Sequence, residues 1–128
     1  MATLNTDIAQ ELDITCRRGD SFLITITFKA TDGTTPIDVT NYTFRMEVRE
    51  EDTDDGPNPT LSADQCVITV INGTAGQVRV EVDKSDMATV VGGTYVYDIQ
   101  ATVGQNTTTW VTGSFTVNED VTVGYNSL

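Results

Sequence analysis

Residues 21–30 read Ser-Phe-Leu-Ile-Thr-Ile-Thr-Phe-Lys-Ala. In an extended chain successive side chains point to opposite faces. Phe22, Ile24, Ile26 and Phe28 therefore share one face, while Thr25, Thr27 and Lys29 share the other. One face packs and one is wet, which is the signature of a half-buried β-strand.

The pattern repeats outward along the chain. In 42–49, Tyr42, Phe44, Met46 and Val48 oppose Thr43, Arg45, Glu47 and Arg49. Asp32-Gly33 and Pro36 supply the turn chemistry between these two runs. Further strands are expected from Cys66 to Ile71 and from Gln77 to Val82, joined at Asn72-Gly73. Two long strands follow, Thr94 to Val103 and Thr107 to Asn118, joined across 104–106. In them Tyr95, Tyr97, Ile99, Ala101 and Val103 share a face, as do Val111, Phe115 and Val117. An opening strand near Leu12–Cys16 brings the count to about seven. The inward set should include Phe22, Ile24, Ile26, Phe28, Phe44, Met46, Val80, Tyr97, Ile99 and Phe115. Only Asp83–Val91 lacks alternation, and its leading Asp marks a single helical turn. The acidic stretch 50–64 holds two of the three prolines and reads as a long exposed loop.

At 128 residues the chain has the size of one domain. The expected division is an N-terminal arm (1–8), a β-sandwich (9–121) and a C-terminal tail (122–128). Nineteen acids against seven bases give a net charge of −12. That field repels phosphate backbones and anionic lipid heads, so neither nucleic acid nor membrane is expected as a partner. The first fifteen residues contain no apolar stretch of signal-peptide type, and no run approaches the roughly 18 apolar residues of a membrane helix. A soluble protein made in a reducing cytoplasm is expected, with Cys16 and Cys66 as free thiols.

Histidine is absent, which removes the commonest general base and metal ligand. Lys84-Ser85-Asp86 has no base to activate the serine, and no catalytic residue or cofactor is expected. Asp52, Asp54 and Asp55 with Gly56 resemble the start of a calcium loop, but the later bidentate acid is missing, since Ala stands at 63 and Asp64 lies one beyond. A solvated acidic loop is the plainer reading. Arg18-Gly19-Asp20 is ordinary turn material between strands. Trp110 falls opposite Val111, Phe115 and Val117 in a continuous alternation, which puts it on the outside. It becomes, with Arg17 and Arg18, a candidate interface residue.

Three stretches carry a resemblance: LDITCRRGDSFLITITF (12–28), TDGTTPIDVTNYTFRMEVRE (31–50) and GGTYVYDIQATVGQNTTTWVTGSFTVNEDVT (92–122). They resemble small tailed-bacteriophage virion proteins, including the N-terminal immunoglobulin-like domain of phage baseplate upper proteins. The matching wording lies at Arg18–Ser21, Pro36–Tyr42, Gly93–Ile99 and 113–122. The resemblance implies an all-β immunoglobulin-like sandwich and a non-enzymatic structural role in a virion made in the host cytoplasm. Other virion proteins would be its partners, with several copies per particle. A tail, baseplate or neck adaptor is the leading expectation. Two alternatives stand beside it: a capsid decoration protein, and a carbohydrate- or receptor-binding sandwich using Trp110 and tyrosines Tyr42, Tyr95 and Tyr97.

Overall fold

The alternating runs become eight strands and one helical turn in a computed structural model, which describes residues 10–30, 32–51 and 59–119. The elements are β1 (Gln10–Glu11), β2 (Ile14–Arg17), β3 (Phe22–Thr27), β4 (Thr43–Arg49), β5 (Val67–Asn72), β6 (Gln77–Val82), α1 (Lys84–Met87), β7 (Gly93–Val103) and β8 (Asn106–Asn118). One sheet runs β1-β8-β7-β4 with β2 also on β8, and the other runs β3-β6-β5. Both β1 and β2 lie parallel to β8, whereas every other ladder is antiparallel.

β1 and β2 are two halves of one N-terminal strand, interrupted at Leu12-Asp13. Leu12 N–H still donates to Thr112 O at 2.9 Å, and Ser114 N–H donates to the Asp13 carboxylate at 3.1 Å. Glycine at 113 makes this bend possible, because a Cβ there would sit 2.2 Å from Leu12 O. Counting the halves as one gives seven strands in two sheets. The chain crosses between sheets from β2 to β3, β3 to β4, β4 to β5 and β6 to β7. This is an immunoglobulin-like β-sandwich with one short helical turn, as the sequence led us to expect.

The two sheets close on a common core. Phe115, Met46 and Ile99 from one sheet meet Val78, Val80 and Val82 from the other, and all six are fully buried. Phe22, Phe28 and Tyr97 join them. Ile24, Ile26 and Phe44, also expected inside, point inward but stay half-buried because β3 and β4 are terminal strands of their sheets. α1 bridges β6 and β7: the Asp83 carboxylate accepts the Ser85 N–H, and Met87 is buried beneath the turn. Between β5 and β6 the chain turns over four residues, 73–76, with Gly73 in the turn and Asn72 closing β5. Gly76 sits at φ 71° with Phe28 O only 2.5 Å from where a Cβ would lie. No helix among the described residues is long and apolar enough to cross a membrane.

Candidate docking surfaces

Trp110 corrects the sequence reading. It is 5% exposed and belongs to the core. Ile99 stands opposite Val111 and Gln100 opposite Thr109, so Trp110 is an extra residue bulged out of the β7–β8 ladder. The bulge shifts the alternation by one position and turns both Trp110 and Val111 inward. The indole is enclosed by Phe28, Tyr42 and Phe44, with ring centroids 5.1, 5.0 and 5.9 Å away. The expected exterior Trp platform is therefore absent. Tyr95 and Tyr97 donate their hydroxyls to Val91 O and Leu12 O, which ties both side chains to the chain's own backbone.

Arg17 and Arg18 gather around Glu119, a residue that the sequence reading passed over. Arg18 Nε donates to Ala88 O at 3.0 Å, and its Nη1 pairs with Glu119 Oε1 at 3.3 Å. Glu119 Oε2 accepts the Gly92 N–H at 2.6 Å, and Arg17 Nη1 reaches Glu119 O at 3.5 Å. The Gly92 N–H, then Arg18, holds the Glu119 carboxyl below its ordinary range. The cluster joins the end of β2, the end of α1 and the chain just past β8. Both arginines are thus engaged within the domain.

The outer faces differ between sheets. On β4, Glu47 accepts from Arg45 and Arg49, both at 2.8 Å, which lowers its pKa. Asp98 stands opposite Glu47, and burial, then that neighbouring charge, raises its pKa. On the three-stranded sheet, Leu23 (56% exposed) and Val67 (50%) flank Glu81, while Thr25 and Thr69 flank Arg79. All the charge of this sheet sits on its central strand. The terminal strands β3 (FLITIT) and β5 (VITVIN) have none.

The two flanks of the sandwich also differ. Along β4 and β5, Val48 and Leu61 exchange backbone hydrogen bonds of 3.0 and 3.1 Å, and Leu61 and Cys66 seal the gap as buried side chains. Along β2 and β3 no segment among the described residues plays that part, and Cys16, Ile24 and Ile26 remain half-buried.

Asp52, Asp54 and Asp55 lie outside the described residues, as do the arm 1–8 and the tail 122–128. Among the described residues no group of three His, Cys, Asp or Glu side chains is placed to hold a metal. Both cysteines are free. Burial pushes the Cys16 thiol up to about 11, and burial, then nearby carboxylates, pushes Cys66 up to about 12, the reverse of what a reactive thiolate needs.

No family model and no curated protein matches the chain. Among solved structures it is similar to a family 123 glycoside hydrolase from Clostridium perfringens, with a TM-score of 0.55 and 14% identity. That match covers 88% of this chain and 23% of the hydrolase. The chain therefore spans under a quarter of that protein, and the likeness is one of fold. A second match is the extracellular fragment of novel immune-type receptor 11 from Ictalurus punctatus, at 13% identity and a TM-score of 0.35, covering 94% of this chain and 92% of the receptor.

Proposed function

We propose that this chain is a non-enzymatic structural module of a tailed-phage virion, acting as a tail, baseplate or neck adaptor that docks onto a symmetric scaffold. A capsid decoration protein would use the same surfaces. The observation that carries the docking part is the β2/β3 flank: an uncharged strand whose outward main-chain groups meet no partner strand among the described residues, beside half-buried apolar side chains, a surface suited to receiving another chain. The virion part rests on the sequence resemblance. Burial of Trp110 removes the exterior aromatic platform that the carbohydrate-binding alternative relied on.

The test is location and attachment. Antibodies raised against the chain should label purified virions of the source phage in electron microscopy. A variant lacking residues 1–8 should melt within a degree or two of the full chain yet be depleted from particles. Unlabelled virions overturn the assignment. Normal incorporation of the deletion variant places attachment elsewhere on the molecule.

A further inference from the structure

We propose that two copies of this chain pair through β3, antiparallel about a two-fold axis at Thr25, joining two three-stranded sheets into one of six strands. This rests on the docking reading above and commits the open flank to one occupant, a second copy.

The geometry begins with backbone direction. Phe28 N–H donates to Gly76 O at 2.8 Å, continuing the ladder that sets Phe22, Ile24 and Ile26 opposite Val82, Val80 and Val78. Backbone groups alternate sides along a strand. Leu23, Thr25 and Thr27 therefore turn their N–H and C=O groups away from β6, toward an edge that no strand among the described residues occupies. Edge strands that stay single are blunted by charge, proline, bulges or a cover. β4 carries Arg45, Glu47 and Arg49 and is covered at Leu61, and β5 has a register shift between Val70 and Asn72. Among the described residues β3 has none of these protections.

Self-pairing fits the residues. With Thr25 opposite Thr25, Leu23 meets Thr27 of the second copy, and all of these carry outward-directed backbone groups. Ile24 meets Ile26 on the inward face, so the added strand completes the burial of the two side chains that the isolated domain leaves half-exposed. The same register sets Lys29 opposite Ser21, beside Asp20 of the second copy, at both ends of the pair. Neither Lys29 nor Asp20 has an ion-pair partner among the described residues. At −12 per chain two copies repel over most of their surface. β3 gives them an uncharged contact closed at each end by opposite charges.

Size-exclusion chromatography with light scattering on the full chain, over a concentration series reaching millimolar, tests this. The wild type should form a dimer. Thr25 is exposed, so Thr25→Lys and Thr25→Glu leave the core untouched while setting like charges against each other at the axis. Each should weaken the dimer by roughly tenfold or more, and an equimolar mixture of the two should recover a heterodimer. Circular dichroism confirms that both variants stay folded. A wild type that is monomeric throughout, variants that dimerise as well as wild type, or a mixture that fails to associate would each overturn the proposal. None of these outcomes touches virion labelling, which tests the broader reading separately.

Discussion

Trp110 shows how one residue can invert a surface assignment. Alternation along 107–117 puts it outside only if the ladder is unbroken, and the bulge opposite Ile99 and Gln100 breaks it. Because the indole fills a nest of three aromatic rings, Trp110→Ala should cost about 3–5 kcal/mol in denaturant unfolding. It is the sole tryptophan, so native emission should be blue-shifted and move red on unfolding. Loss of under about 1 kcal/mol, well short of a buried-aromatic truncation, would contradict the buried position. The thiols give a residue-scale pH dependence. Each folded pKa lies above the ordinary 9.0, at about 11 for Cys16 and about 12 for Cys66. Above pH 9 the unfolded chain releases these protons while the folded chain keeps them, so stability falls as pH rises from 9 toward 11 to 12. Replacing both cysteines by Ala should make that alkaline limb shallower in urea titrations, most clearly between pH 9 and 10. Above pH 10 the buried Tyr97 hydroxyl and that of Tyr95, both raised by burial, sustain a decline. An unchanged slope over the lower interval would assign it to other groups. Native alkylation at pH 7 should be slow and become fast on denaturation.

At the scale of elements, the close approach of the N-terminal bend to β8 yields the sharpest expectation. Gly113→Ala drives a methyl against Leu12 O, and β1 must lift away or β8 must shift, at about 1–3 kcal/mol. Hydrogen exchange should find the Leu12 amide newly exposed, since its bond to Thr112 O spans the clash. A protected Leu12 in the variant would mean that the bend relaxes more cheaply than its geometry suggests. The same elements show what was legible beforehand. β3, β4 and β6 could be read from Phe22–Phe28, Tyr42–Val48 and Val78–Val82 because each strand has one face in the core, and α1 from Asp83 because capping is a local interaction. The bulge at Trp110 was not legible, since it is set by how β8 meets β7. The parallel pairing of β2 with β8 joins residues about a hundred positions apart, and nothing local encodes it. The FLITIT run was visible from the start, but an open edge is a property of the sheet around it. Neither Arg18 nor Glu119 hints at their meeting until the turn at 18–20 and the end of β8 come together.

For the whole molecule, fold class followed from the density of alternating strands, while the proposed docking surface depends on sheet order and on Leu61, which together cover the β4/β5 flank and leave β2/β3 uncovered among the described residues. Sheet order has a mechanical meaning as well. Because β1 and β2 run parallel to β8, the chain enters beside Val111 and leaves beyond Asn118, at opposite ends of one ladder. Tension applied along the chain slides the two strands past each other, so the bonds from Gln10 to Arg17 bear load together and none can rupture first at small cost. Tension between Gln10 and Gln105, which lie toward the same end, would peel the ladder one bond at a time. In single-molecule pulling, handles at 10 and 119 should therefore unfold the domain at higher force than handles at 10 and 105, and equal forces would deny the ladder this role. A domain strung in series within a larger assembly would then carry stress through its own termini as a shear-loaded clamp.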